Sequence, residues 1–441
     1  MKRRDFISNM MLAGGSLALG GCSSEKKEFE IEQAEDGSIY ISEPAKHISV
    51  LAQTDVLVIG GGPAGVAAAV AASRAGAETY LLERYNHLGG LWTGGLVLPL
   101  LSTHGLSKNG ERIQVIHGLS AEMVDRLRDM NMVVDEINPT IDPEAGKYVL
   151  DEMIADAGVH MLYHTWAVGA IMDKNTIKGV YVESKSGRQA ILAKVVIDCS
   201  GDGDVIKWAG EQYDVMRYAI GMNYRIGNTD RINTRALGYE RHYVGEHTPV
   251  PNVSWYNVWG KEEQDALDVE NLSRLQHQLR KEAWEHVQEL KQKPGYKDIY
   301  LLDTASQLGV RLSRILHGEY MLTLEDSMTY KTFDDAIGVS GAWTTFNYRD
   351  QKITSDKRPY WQIPYRSLVP KTIDNLLVAG RCFCYEKALV EDARIIGTCL
   401  VTGQGAGAAA ALAVQSGELP RHIDIARLHQ LLVSQKVWFG A

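Results

Sequence analysis

Asp55-Val56-Leu57-Val58-Ile59-Gly60-Gly61-Gly62-Pro63-Ala64-Gly65 is the stretch that decides the fold of this 441-residue chain. Asp55 to Ile59 is a short β-branched run closed by glycine, the pattern of a strand buried in a parallel sheet. An alanine-rich stretch from Val66 to Ala75 follows and reads as a helix. Gly60, Gly62 and Gly65 stand between them at the positions of G-x-G-x-x-G. The first permits a tight turn, the second lets the backbone approach a pyrophosphate, and the third allows close helix–strand packing. Phosphates belong at the helix N-terminus, where unpaired N–H groups and the dipole favour negative charge. Pro63 and Ala64 lie inside that turn and are expected to line it. Beyond Gly76, Glu78 to Leu82 reads as a second strand that ends on Glu83, placed to accept hydrogen bonds from a ribose, with Arg84 beside it. Strand, triplet, helix, strand and terminal acid in one unit specify dinucleotide binding. An acid rather than an arginine at the second strand end disfavours a 2′-phosphate, which leaves FAD or NAD.

Composition sets the outer limits. Hydrophobic residues make up 45% and charged residues 23%, the range of a soluble globular protein and far from disorder. No uninterrupted apolar run reaches the ~18 residues of a membrane span, which argues against an integral membrane protein. A formal charge of −9 argues against nucleic acid as the main partner, because phosphate backbones demand basic patches. Of the five cysteines, Cys199, Cys382, Cys384 and Cys399 are too unevenly spaced for a disulfide framework. Cys382 and Cys384 form a C-x-C without the second pair that a zinc site needs, so no metal centre is expected.

The chain opens Met1-Lys2-Arg3-Arg4-Asp5-Phe6, with an apolar stretch from Met10 to Leu19. A positive start, a short apolar core and small residues before a processing point are signal-peptide features. Arg3 and Arg4 resemble a twin-arginine export signal, although Lys2 precedes them where Ser or Thr is usual. Leu19-Gly20-Gly21-Cys22 looks like a bacterial lipobox with Cys22 as the lipidated residue. The expectation is a signal peptide over 1–21, a charged tether over 22–49, and an exported periplasmic or cell-envelope lipoprotein that touches the membrane only through Cys22. Export in the folded state suits a chain that takes up its cofactor before crossing.

Further glycine clusters choose between the dinucleotides. Leu88-Gly89-Gly90-Leu91-Trp92-Thr93 follows the ribose acid and resembles the close-approach loop of glutathione-reductase-type flavoproteins, which implies Gly89, Gly90 and Thr93 where the chain passes the pyrophosphate and flavin. Ala193 to Cys199 reads as a strand that runs into Ser200-Gly201-Asp202-Gly203-Asp204, which resembles the strand-then-(T/S)-G-D segment of glutathione-reductase-type flavoproteins and so implies Gly201 and Asp202 as cofactor contacts. Asn375 to Ala379 reads as another strand, ending in Gly380-Arg381, and Gly380, Arg381 and, further on, Arg394 are expected on the cofactor side. Gly403-Gln404-Gly405-Ala406-Gly407 opens an alanine helix from Ala408, and its N-terminus is expected to set Gly403, Gly405 and Ala406 against the flavin.

With these segments the chain resembles the FAD-dependent oxidoreductase family, distantly similar to fumarate-reductase and succinate-dehydrogenase flavoproteins. Gly309-Val310-Arg311-Leu312-Ser313-Arg314 with Gly318-Glu319-Tyr320, and Ile363-Pro364-Tyr365-Arg366-Ser367-Leu368-Val369-Pro370, match further family motifs. The resemblance implies an α/β fold: a Rossmann-like FAD-binding domain of the glutathione-reductase type with an inserted cap or substrate domain. The FAD domain is expected in three pieces, 50–105, 148–210 and 335–420, with the cap from 106–147 and 211–334 and a tail over 421–441. A helix over Glu262 to Lys291, apolar at Leu272, Leu275, Leu279, Ala283, Val287 and Leu290, belongs to the cap.

A single dinucleotide unit excludes the two-nucleotide plan of NAD(P)H-linked relatives, so electrons pass through the substrate and a quinone, cytochrome or oxygen. Candidate catalytic residues are His104 as a loop base, Arg311 and Arg314 for a substrate carboxylate or hydroxyl, and Lys387, where many relatives carry a histidine. For the two arginines the alternative is structural pairing, with Glu325 and Asp326 or with the pyrophosphate. The spacing of His87 differs from that of the flavin-linked histidine of succinate dehydrogenases, so FAD is expected to be non-covalent. The expected activity is oxidation of a small hydroxyl-bearing or sugar-derived substrate. The alternatives are reduction of an unsaturated carboxylate, or a flavin-loaded electron relay.

Overall fold

The computed structural model describes residues 31–34, 36–42, 45–106, 111–231, 245–258, 260–329, 331–341 and 360–440. The expected signal segment and Cys22 lie outside the described residues. The chain divides into two compact units, one up to Ile48 and one from Ser49 on. In the first, Ile31–Gln33 pairs antiparallel with Ile39–Ile41, so the expected tether contains a hairpin.

The second unit begins with β1 (Val50–Ile59), α1 (Pro63–Arg74) and β2 (Thr79–Leu82), the strand–helix–strand expected from the glycine motif. Then come α2 (Leu119–Asp129), α3 (Pro143–Asp156), β3 (His160–Leu162), β4 (Trp166–Asp173), β5 (Thr176–Ser184) and β6 (Gly187–Asp198). The middle of the chain supplies α4 (Asp204–Ala209), β7 (Tyr224–Gly227), β8 (Glu246–His247) and β9 (Val253–Tyr256). It continues with α5 (Val269–Lys291) and β10 (Tyr300–Thr304). The chain returns through β11 (Leu376–Val378) and α6 (Ile396–Ser416).

The fold is a mixed α/β one. The first sheet runs β4-β5-β6-β1-β2-β3, with β11 also on β6. β11, β6, β1, β2 and β3 are parallel, and their registers put Val378, Asp198, Ile59, Leu82 and Leu162 in one row. Five carboxyl ends therefore open on the same edge, the place where parallel α/β sheets bind ligands. β5 and β6 pair antiparallel as a hairpin turning between Ser184 and Gly187.

α1 owes its place to small side chains. Ala64 to Ala72 are all buried, and α6 lies against them. A Cβ on Gly403 or Gly407 would stand 2.1 Å from the carbonyl oxygen of Ala64 or Ala68, and one on Gly405 would strike Ile337. These glycines are a packing face, which corrects the expectation that Gly403, Gly405 and Ala406 touch the cofactor. α6 starts earlier, at Ile396. Glycine inside a helix costs about 1 kcal/mol relative to alanine, a cost that close backbone approach offsets here. The same helix is long and apolar enough to cross a membrane, yet its apolar window is wholly buried inside the protein.

A second correction concerns 106–147. Leu119, Met123, Val124 and Leu127 of α2 bury in the same core as α1, α3 and α6, so α2 belongs to the helical layer of the first sheet rather than to a cap. An amphipathic stripe specifies a buried face but not the layer that buries it.

The second sheet, β8-β9-β7-β10, is antiparallel. α5 is capped by Asp268 and buries Leu275, Leu279, Ala283, Val287 and Leu290 against it, the face expected from spacing. One buried side chain ties this sheet to the first. Arg225 on β7 donates to Asp303 at 2.6 Å and to Asp142 at 3.1 Å, and Asp142 is also the N-cap of α3.

Candidate active site

A cavity of about 550 Å³ runs along the carboxyl edge of the parallel strands. Its floor is backbone. Gly60 takes φ +102°, and a Cβ there would meet the Cys199 carbonyl oxygen at 2.5 Å. Gly65 is tighter still: its Cβ would stand 1.7 Å from the Gly60 carbonyl oxygen, so only glycine seats α1 on β1. Gly62 is the opposite case, with nothing within 4 Å of its would-be Cβ. It is also the N-cap of α1, without a side-chain cap, so the helix presents bare N–H groups beside open space.

Glu83 ends β2 as expected. It is buried, and its Oε2 accepts the Gly61 N–H and its Oε1 the Tyr85 N–H, both at 2.8 Å. Burial pushes its carboxyl up, against those two hydrogen bonds. Each oxygen keeps a lone pair for a ribose hydroxyl.

The loop after β6 is held from beneath. Asp198, fully buried, accepts N–H groups from Ser200, Val205 and Ile206, which shapes the turn through Gly201 and Asp202 into α4. Asp202 pairs with Arg381 at 2.5 Å and accepts from Ser313 at 2.7 Å. Burial works against the Asp202 carboxylate, but the Arg381 charge and these hydrogen bonds hold it below its ordinary value. Arg314 donates to the Asp202 carbonyl at 2.9 Å and to Asp204 at 3.0 Å.

At another part of the same cavity wall stands Arg394, with Ile396 and Cys399 from the first turn of α6. Arg394 donates to Glu391, whose other oxygen accepts the Tyr218 hydroxyl. Burial first, and then the Glu391 hydrogen bond, push Tyr218 up to about 12. Arg311 donates to the Ala219 carbonyl at 3.0 Å. Burial and the neighbouring Arg394 charge press Arg311 down to about 10. Sequence reasoning missed Tyr218 and Glu391. Glu391 three residues before Arg394 on a helical turn was a weak local signal, and Tyr218 carried none.

The candidate residues separate cleanly. Gly60, Gly62, Pro63, Ala64, Glu83, Arg84, Gly90, Gly201, Asp202, Gly380, Arg381 and Arg394 line the cavity. Gly65, Gly89 and Thr93 support it from behind: the Gly89 N–H bonds the Gly61 carbonyl at 2.8 Å, and the Thr93 hydroxyl bonds the Leu88 carbonyl. Arg314 lines the cavity too, but its partners make it a brace for Asp202 and Asp204 and not a catalytic group. The expected pairing of Arg314 with Glu325 or Asp326 gives way to Asp202 and Asp204, and Asp326 accepts from Lys331 and Tyr320. His104 is off the cavity wall, bonded to Thr103 at 2.9 Å and facing the Ile137 carbonyl at 3.3 Å, and burial lowers its pKa. Lys387 is off it as well, in an exposed ion pair with Glu263 at 3.7 Å, a type worth little. A lone polar residue in a loop carries no information on which way the fold turns it. Neither side chain lies on the cavity that the glycine turn opens, against the expectation of a catalytic role. Cys199, Cys382, Cys384 and Cys399 are buried thiols, each pushed up by burial, Cys399 to about 12, so they stay protonated.

These residues fit an adenine dinucleotide carrying a flavin. The bare helix terminus and Gly62 suit a pyrophosphate, Glu83 suits a ribose, and the buried Nε atoms of Arg314 and Arg381 meet no acceptor among the described residues. Among the described residues no cluster of metal-ligating side chains occurs.

Fold and cavity together define a flavin-dependent oxidoreductase. Residues 55–432 match the model of the FAD dependent oxidoreductase family, and the chain belongs to that family, an enzyme with FAD as its cofactor. It is similar to digeranylgeranylglycerophospholipid reductase of Methanosarcina acetivorans, 29% identical over 167 residues that cover 35% of this chain and 40% of that protein. It is also similar to thiamine thiazole synthase of Methanococcus vannielii, 30% identical over 166 residues that cover 35% of this chain and 59% of that protein. Both matches thus span less than two thirds of the relative. A solved geranylgeranyl bacteriochlorophyll reductase-like protein from Thermoplasma acidophilum aligns at 14% identity and a TM-score of 0.46, over 87% of this chain and 84% of that one.

Proposed function

We propose that this enzyme oxidises a small hydroxyl-bearing substrate, such as a sugar-derived acid, whose anionic group is met by Arg394. The observation that carries it is the state of that side chain. Arg394 lines the cavity, donates to Glu391, and has a buried Nε without an acceptor among the described residues. A guanidinium so held is prepared for a carboxylate. Glu391 and Tyr218 act as positioning residues that keep the fork aimed, and the Arg311 charge raises the local preference for an anion. The buried N-terminus of α6 at Ile396 adds its dipole to the same side.

The groups that would hold FAD are the α1 terminus for the phosphates, Glu83 for a ribose, and Asp202, Gly380 and Arg381 for the remainder of the chain toward the flavin. When bound, FAD supplies two-electron chemistry at flavin N5. The protein's own part is to bind, to orient and to exclude water.

The same reading takes the FAD fold as the glutathione-reductase type, with the second sheet and α5 as its substrate cap. It also takes Arg3, Arg4 and Cys22 as the marks of an exported lipoprotein that passes electrons to a quinone, cytochrome or oxygen. Radiolabelled fatty acid incorporated at Cys22, and lost in Cys22→Ala, tests the anchor. Arg394 also favours a second reading, reduction of an unsaturated carboxylate. Anaerobic mixing separates them. Bleaching of the flavin by hydroxy acids, and not by neutral alcohols, supports oxidation of an anionic substrate. Reoxidation of the reduced enzyme by enoates supports the reductase. Redox exchange with neither, but with a protein acceptor, supports a relay.

A further inference from the structure

The stretch of cavity wall beside Glu83 includes Thr165, Trp166 and Ala167, at the start of β4. The Thr165 N–H bonds the Glu83 carbonyl at 3.0 Å, which fastens this strand end to the acid suited to a ribose. Trp166 is 53% exposed, whereas Trp92, Trp255 and Trp361 are fully buried. Its ring is nevertheless held. The Arg84 guanidinium lies 5.4 Å from the Trp166 ring centroid and 4.9 Å from that of Tyr85, so a cation sits against both rings. Arg84 also lines the cavity, within electrostatic reach of Asp202 and Asp204. A flat indole, backed by a cation and one residue from the strand that meets the ribose acid, has the chemistry of a base-stacking surface.

We propose that Trp166 is the purine platform of the cofactor site. It stacks the adenine ring, and its π face, rather than a hydrogen-bond pattern, makes the site prefer an adenine dinucleotide to a bare phosphate ligand. Glu83 then reads the ribose and Trp166 the base, two adjacent contacts from two strands.

The test uses the full-length holoenzyme and two releases of flavin. On dilution, Trp166→Ala and Trp166→Leu lose FAD at concentrations roughly ten to a hundred times higher than the wild type, the range that base–aromatic stacking spans. Trp166→Phe stays within a fewfold of wild type. Displacement of FAD by 5′-ADP is then compared with displacement by inorganic pyrophosphate. The wild type yields to ADP at much lower concentration, and in the Ala and Leu variants that advantage shrinks by the same factor as FAD affinity. An unchanged advantage overturns the proposal. So does an equal weakening toward ADP and pyrophosphate, because that traces the loss to the phosphate cradle or the fold. If the Ala and Leu variants fail to retain flavin, the wild-type ratio decides: equal displacement by the two ligands overturns the platform, as does a Phe variant that releases flavin like a fold mutant with a lowered unfolding midpoint.

Discussion

The phosphate cradle and the arginine end of the cavity are built on different principles. At the cradle the surface is backbone, from Ile59–Gly65 and the Gly89–Gly90 loop packed on it. At the arginine end, Tyr218 and Glu391 are 173 residues apart and meet through side chains. Backbone recognition demands glycine at fixed local spacing, because no other residue permits the approach. Side-chain recognition makes no such local demand. The two ends therefore differ in what a substitution does: one loses the ligand or the fold, the other loses only orientation.

The sharpest way to break that contrast is to make the same change at two glycines. Gly65→Val places its Cβ 1.7 Å from a carbonyl oxygen and forces α1 off β1, so the expected result is loss of the folded protein, on the order of 5 kcal/mol or more. Soluble yield and far-UV circular dichroism check it. Gly62→Val places its side chain in open cavity, so the chain folds with wild-type dichroism but without visible flavin absorption. Full flavin occupancy in that variant would reject the cradle.

At the other end, Arg394→Gln should keep flavin and fold while slowing substrate-driven flavin bleaching by about thirtyfold or more, the ~2–5 kcal/mol lost with a buried, hydrogen-bonded charge. Arg394→Lys recovers only part of it, since an ammonium lacks the planar fork. Wild-type bleaching in Arg394→Gln, with an anionic substrate found, would detach this residue from the chemistry.

This difference also explains what was legible beforehand. The parallel sheet, Glu83, Gly201–Asp202 and Gly380–Arg381 were readable because each is a strand followed by a residue type that the turn requires. The α6 glycines were misread because a packing glycine and a phosphate-facing glycine look alike without the helix start. His104 and Lys387 were polar residues on connections, and connections do not state their direction. Tyr218 is a two-residue strand, Tyr218–Ala219, paired with Glu263–Gln264, too short for any periodicity.

Arg225 lies between these extremes: one side chain, but one that locks two layers. Arg225→Met leaves Asp142 and Asp303 without their cation, although Asp142 keeps its cap bonds to Glu144 and Ala145. Asp303 is partly open to solvent, which discounts the loss to about 2 kcal/mol. A urea midpoint lowered by that amount, with the flavin spectrum unchanged, is expected. A bleached or shifted spectrum would mean that the second sheet reaches the flavin through this contact.

The smallest effect expected is a pH slope at Asp204, on the cavity wall. Burial first, then the charges of Asp202 and Asp198, push its carboxyl from 3.8 up to about 6, against the pull of Arg314 and Arg84. A folded pKa above the unfolded one means that the folded chain holds the proton more tightly, so this group's contribution to stability falls as pH rises from 3.8 to about 6. Its side chain is 26% exposed, which keeps the effect on the order of 1–2 kcal/mol. Asp204→Asn keeps an acceptor for Arg314 and removes the charge, so it should flatten that part of the slope and be at least as stable as wild type at pH 7. Urea midpoints at several pH values across this window measure both. A variant that keeps the wild-type slope would place the repulsion elsewhere along the Asp198–Asp204 loop, and the cavity's acidic side would then be balanced by Arg381 and Arg314 without strain.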